Sequence, residues 1–159
     1  LVAASEDTVH QNIMMTQFSA RSLGMRPVAG GSIIDVPIPG SREPAFLEAT
    51  GGITYFSVWN SAVLGAYDPT TGQMTFHQFP TSAAEIGGPM DVTPGGDVIV
   101  GTRGSGFIVV YRPASGRMSM HPIPSNSPGL KDGLRSEKDG VVWFTESSTG
   151  KLSRLRYLN

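Results

Sequence analysis

The sequence predicts an all-β chain forming part of a β-propeller with four-stranded antiparallel blades. Three observations carry this. A short apolar phrase returns at a near-constant interval, a glycine-containing turn precedes three of its copies, and a proline-marked strand closes the first three. The phrase Trp143-Phe144-Thr145-Glu146 has counterparts in Ile99-Val100-Gly101-Thr102 and Tyr55-Phe56-Ser57-Val58, at steps of 44 residues, and in Met14-Met15-Thr16-Gln17, 41 residues earlier. Self-similarity at such a period is the signature of a repeat architecture.

Within each repeat the elements follow in a fixed order. The segments EATGGITYF, TPGGDVIV and EKDGVVWF each set a tight turn before an apolar run. Such turns join two antiparallel strands, here named a and b from the inside outward. Strand b is apolar on both faces (ITYF, VIV, VVWF), which suits a small sheet covered by neighbouring sheets on both sides. Strand c holds an aliphatic residue at a fixed offset: Leu23, Leu64, Ile108 and Leu152. Pro27, Pro69 and Pro113 follow in the first three copies, with turn-formers in PVAGGS, DPTTGQ and RPASGR. Strand d alternates and carries proline: SIIDVPIP, QMTFHQFP, RMSMHPIP. Proline donates no ladder hydrogen bond, so d is the outer edge. The repeats run over about 1–39, 44–80, 89–124 and 130–159 of a single propeller segment.

A propeller usually has roughly 4–8 blades. This sequence covers somewhat under four, because KLSRLRYLN ends in strand c of the last repeat. The expectation is a six- or seven-bladed ring completed by a missing segment or a second chain. A small ring whose own termini overlap is the alternative. An open arc would leave sheet edges unpaired, which invites aggregation.

Composition narrows the partners. The 159 residues carry a formal net charge of -1, with 16% charged residues. A nucleic-acid surface is usually basic, so nucleic acid is not an expected partner. No apolar run approaches the roughly 18 residues of a membrane span. A soluble chain is expected, and composition leaves its compartment, cytoplasmic or secreted, open. The count of cysteine is 0, which excludes disulfides and thiolate metal sites.

The stretch DGLRSEKDGVVWFTESSTGKLSRL resembles the repeat of the streptogramin lyase (virginiamycin B lyase) propellers. That repeat runs as Pro-x-Gly-Ile, a glycine turn, Trp-Phe-Thr-Glu, Asn-Lys-Ile-Gly-Arg-Ile and a closing Tyr-Pro-Ile-Pro. SLGMRPVAGGSIIDVPIP and VLGAYDPTTGQMTFHQFP match its second half. The resemblance implies a propeller enzyme acting on a small-molecule metabolite at the channel mouth, lyase-like or cyclase-like. In the lyases it implies a lactone opened by elimination, an inner-strand histidine as base, and magnesium held with help from the phrase's glutamate. The histidine precedes that glutamate by fourteen residues. The corresponding positions here are Asp132 before Glu146, Gly88 before Thr102 and Pro44 before Val58. None is histidine, so a lyase base would come from blades outside this sequence. Related propellers include non-catalytic platforms, and fold alone does not fix function. The alternative is therefore a binding module for a peptide or small ligand.

Several residues are candidates. With the family's geometry, Asp132 and Glu146 stand at neighbouring strand ends, where paired carboxylates hold a hard cation such as Mg2+ or act as acid and base. The structural alternative pairs Glu146 with Lys151 or Arg154 and makes Asp132 a loop cap. Trp59, just past its strand, is a candidate for ligand stacking, and Arg103 for an acidic ligand. GTRGSG at 101–106 lacks the helix a phosphate loop needs and reads as a b–c hairpin turn. His77 and His121 occupy matching places in d strands, far from the channel. His10 sits on an extended a–b connection. Tyr55, Phe56, Trp143 and Phe144 are expected to pack between blades. No Gly-x-Ser-x-Gly elbow occurs.

Overall fold

The computed structural model describes residues 3–59, 61–81, 87–104, 106–126, 128–138 and 140–157. It holds strands and turns, with no helix among the described residues. The first sheet comprises β1 (Ala4–Asp7), β2 (Asn12–Gln17), β3 (Ser22–Pro27) and β4 (Ile34–Pro37). The second comprises β5 (Pro44–Thr50), β6 (Ile53–Val58), β7 (Val63–Asp68) and β8 (Gln73–Gln78). The third comprises β9 (Met90–Val92), β10 (Val98–Gly101), β11 (Phe107–Arg112) and β12 (Arg117–Pro122). The fourth holds β13 (Leu134–Lys138), β14 (Val141–Glu146) and β15 (Lys151–Arg156). Every sheet is an antiparallel meander in chain order, and the inner strands β1, β5, β9 and β13 neighbour one another in succession. This is the arc of a propeller expected from the repeats.

Burial follows from the apolar b and c strands. Met14 and Leu23 of the first sheet pack against Leu47, Phe56 and Val58 of the second. On the second sheet's other side, Tyr55 and Leu64 meet Val98, Val100, Val109 and Tyr111. Ile99, Ile108 and Val110 then meet Leu134, Val142 and Phe144 of the fourth sheet. Adjacent residues of one strand thus serve different interfaces, as the alternation of strand side chains dictates. Gly65 is required here: a Cβ would overlap the Phe56 ring that lies across it.

The outer strands share one ending. Ile38, Phe79 and Ile123 each precede a proline, are buried, and donate a backbone N–H to the b–c side of their sheet. The acceptors are the carbonyls of Arg21, Ala62 and Gly106, at 3.1, 2.7 and 2.8 Å. The hydrogen bond closes the strand, and the proline prevents its continuation.

Trp143 lies on the one face of the fourth sheet that no other sheet of the described residues covers. Phe144 packs between blades, but Trp143 is 37% exposed. It points to the side of β14 away from the third sheet, and Leu152 on that side is 68% exposed. Its indole N–H donates to Glu137 Oε2 at 2.8 Å, and the Arg154 guanidinium lies 5.5 Å from its ring centroid. The counterparts Met14, Tyr55 and Ile99 each face the next sheet in the chain.

Candidate functional site

A meander puts all b–c turns at one end of the sheets, together with the links from one sheet to the next. The opposite end holds the a–b and c–d turns. At the b–c end, the residues four places after the start of each repeated phrase are Phe18, Trp59, Arg103 and Ser147. They sit just beyond β2, β6, β10 and β14, so one register position is presented by four successive sheets.

Three of these side chains form a continuous row. The Phe18 and Trp59 rings meet edge to face, with centroids 5.8 Å apart at an interplanar angle of 80°. The Arg103 guanidinium lies over the Trp59 ring, 4.4 Å from its centroid. A cation placed on an indole face is attracted by the ring quadrupole, by about 0.5–1 kcal/mol where solvent reaches it. Trp59 is anchored at its backbone, whose N–H donates to the Glu43 carbonyl at 2.8 Å. Glu43 in turn pairs with Arg21 at 3.5 Å. All three side chains are half-buried, which leaves part of each available to a ligand. The structure thus brings Trp59 and Arg103, proposed separately from sequence, into one surface. It adds Phe18, which shares their register directly after the phrase Met14–Gln17 but was not singled out there. Arg103 lies in the hairpin turn read from GTRGSG; Ser105 of that turn lies outside the described residues.

Glu146 ends β14 on the side facing the third sheet and is 2% exposed. Its Oε2 accepts a hydrogen bond from the Thr149 hydroxyl at 2.9 Å, and its Oε1 accepts one from the Ser153 hydroxyl. The Ser125 hydroxyl first, then those of Ser153 and Thr149, hold the carboxyl below its ordinary value against the opposing effect of burial; Lys151 adds to the lowering. Gln17 and Thr102, at the same register, likewise bind the starts of their own c strands. Ser22 Oγ donates to Gln17 Oε1 at 2.6 Å, and Phe107 N donates to Thr102 Oγ1 at 2.9 Å. A cleft of about 250 Å3 opens beside Glu146, with Ser125, Phe144, Lys151 and Arg154 in its walls. Asp132 is exposed at a bend; the next residue, Gly133, accepts the Thr145 N–H at 2.9 Å.

Among the described residues, Glu146 and Asp132 do not by themselves make an oxygen cage for magnesium. Both oxygens of Glu146 already accept hydroxyl hydrogens, and Asp132 is exposed to solvent. Among the described residues, no cluster of three or more histidine, aspartate or glutamate side chains is placed to hold a metal ion. The other two positions fourteen residues before a phrase's end have backbone duties. Pro44 pairs with Val58 at the β5 irregularity. A Cβ at Gly88 would overlap the Gly101 carbonyl, so a histidine there would force strands β9 and β10 apart.

A second row escaped the sequence reading. Ser5, Glu48, Asp91 and Arg135 lie opposite Met14, Tyr55, Ile99 and Trp143 on the inner strands. Ser5 Oγ donates to Glu48 Oε2 at 2.9 Å and accepts Ala49 N at 3.2 Å. Asp91 accepts Ser136 N at 2.6 Å and Arg135 Nη1 at 3.1 Å. Burial, and secondarily the Asp91 charge, raise the Glu48 carboxyl, while Ser5 and Arg135 oppose them. These contacts tie inner strand to inner strand. Their spacing of 43 or 44 residues was visible, but the residue types differ at each step.

His77 and His121 lie on β8 and β12, away from both rows, as expected from their d-strand positions. Each ring meets a tyrosine beyond its own sheet at a tilt: His77 meets Tyr111 with centroids 4.6 Å apart at 33°, and His121 meets Tyr157 with centroids 5.6 Å apart at 43°.

No protein-family model matches the chain. No curated protein matches it. Solved structures do. Virginiamycin B lyase from Staphylococcus aureus superposes with a TM-score of 0.79 at 16% identity, covering 97% of this chain and 54% of the lyase. A catalytically inactive variant of that lyase with quinupristin gives 0.79 at 14% identity, with 97% and 54% coverage. A chain of the nidogen/laminin complex gives 0.73 at 14% identity, with 98% and 60% coverage. The chain spans about half the length of the lyases it matches. At these identities the likeness is one of fold: the chain is an arc of β-propeller similar to the virginiamycin B lyases.

Proposed function

We propose that the chain is the ligand-binding arc of a propeller and takes a small molecule with an anionic group beside a flat apolar surface. The observation that carries this is the Arg103 guanidinium stacked on Trp59, with Phe18 edge-on, from three successive blades at the b–c end. Indole and phenyl surfaces offer apolar contact, and guanidinium offers a forked donor for carboxylate or phosphate. The hydroxyl partners of Glu146 support binding over metal-assisted chemistry, since its carboxylate is engaged in holding its own hairpin.

The test uses 2-naphthoate and its neutral amide as probes, titrated by calorimetry. Naphthoate is expected to bind more tightly than the amide. Arg103→Gln should erase that preference, and Trp59→Ala should weaken both probes by about tenfold, or 1.4 kcal/mol. Equal affinities in wild type and both variants would sink the proposal. The lyase-like reading has its own assay. Quinupristin is incubated with the protein and magnesium, and chromatography follows ring opening. Magnesium-dependent opening that Glu146→Ala abolishes would replace the binding reading with the enzymatic one.

A further inference from the structure

The opposite end of the sheets holds a separate constellation. Asp7, at the end of β1, is 1% exposed. Its Oδ1 accepts the backbone N–H groups of Val9 and His10 at 3.1 and 3.3 Å. Its Oδ2 stands 2.7 Å from His10 Nδ1. On the other side of the ring, His10 Nε2 stands 2.8 Å from the Thr70 hydroxyl. Thr70 belongs to the c–d turn of the second sheet and is exposed. Asp68 fixes that turn: its Oδ1 accepts Thr70 N at 2.8 Å, and its Oδ2 accepts the Thr71 hydroxyl at 2.9 Å.

The chemistry of the partners sets the direction of the chain. An ionised carboxylate only accepts, so His10 Nδ1 carries the hydrogen. In the neutral ring Nε2 then holds the lone pair, and the Thr70 O–H donates to it. The imidazole is held in place as well. Gly52, at φ 78°, lies under it, where a Cβ would come within 2.9 Å of His10 Cε1. Val9, 62% exposed, packs over the same glycine and offers an apolar shoulder beside the ring. Hydroxyl, imidazole and buried carboxylate, each in hydrogen-bond reach of the next, is the arrangement that activates an oxygen nucleophile.

We propose that Thr70, His10 and Asp7 form an acyl-transfer site for small activated carboxylic esters, distinct from the Trp59–Arg103 surface. Thr70 Oγ attacks the ester carbonyl carbon, and its proton passes to His10 Nε2. The tetrahedral adduct collapses, the bond to the leaving alcohol breaks, and that alcohol takes the proton from His10. Water then attacks the threonyl ester with His10 again accepting the proton, which releases the acid and restores the hydroxyl. Asp7 is a positioning residue: it sets the tautomer and stabilises the imidazolium.

The probe is p-nitrophenyl acetate, with nitrophenolate release followed optically and the acetylated residue located by peptide mass mapping. A single acetyl group on Thr70 is expected. Thr70→Ser should keep the label at that position, and Thr70→Val should remove it. His10→Gln should slow acetylation at residue 70 by at least about 100-fold, the lower end of general-base contributions. Asp7→Asn should change the imidazole 15N shifts from those of an Nε2 lone pair and slow labelling in parallel. Label found only elsewhere, or a His10→Gln rate equal to wild type, would overturn the proposal and leave a hydrogen bond between blades.

Discussion

Glu146 shows how a residue's surroundings weigh on readings that its type leaves open. Its carboxylate is buried and braced by the Thr149 and Ser153 hydroxyls. Glu146→Ala would strand those hydroxyls, at a cost of about 1–3 kcal/mol in urea unfolding. The pH dependence has a fixed sign. The folded-state carboxyl titrates below its ordinary 4.5, so its contribution is complete above that value and is lost as pH falls through the lowered one. Wild type should therefore lose stability below pH 4.5 more steeply than Glu146→Gln. At this scale the sequence was partly legible. Trp59 and Arg103 stood out by position, yet their contact depends on how blades rotate against each other, which no local pattern encodes. For Trp143 a repeated phrase says what side chain is present and not whether a further sheet covers it.

At the scale of strands, the prolines carried the most reliable information. Each outer strand ends in an apolar residue and a proline, and the structure shows the apolar member buried and hydrogen-bonded to the b–c side. Phe79, 2% exposed, packs between the second and third sheets. Phe79→Ala should cost about 3–5 kcal/mol by chemical denaturation, because a cavity replaces a ring within a packed interface. Strand order, turn positions and the edge strand were legible because turn chemistry and proline act locally. The inner row of Ser5, Glu48, Asp91 and Arg135 was not. Its members share a position and a geometric role while differing in chemistry, so no residue-type repeat announces them.

The whole molecule is held by its interfaces, and two of these contain a tilted histidine–tyrosine ring contact. Burial lowers the His77 imidazole, and burial followed by the Arg112 charge lowers His121. A histidine whose folded value lies below 6.5 favours folding when neutral. Its contribution is complete above pH 6.5 and is lost as pH falls from there through the lowered folded values. Thermal melts should show a midpoint that drops between pH 7.5 and 5, and a double change of His77 and His121 to phenylalanine should flatten that drop. An equal pH dependence in the double variant would show that these ring contacts do not govern it. The propeller itself was legible at this scale, because four repeats in register leave few other architectures. The extent of the complete ring was not, since each blade specifies only its neighbours.

The row at the b–c end has an evolutionary consequence. Phe18, Trp59, Arg103 and Ser147 occupy one address written four times, each copy on a separate blade and outside the packed sheets. A change at one copy reaches at most its neighbours in the row, as at Trp59 between Phe18 and Arg103, and stays outside the packed strands beneath. The ligand preference proposed for this row can therefore drift by small steps while the scaffold stays intact, and Ser147, the small and exposed member of the set, is the letter with the most room to be rewritten.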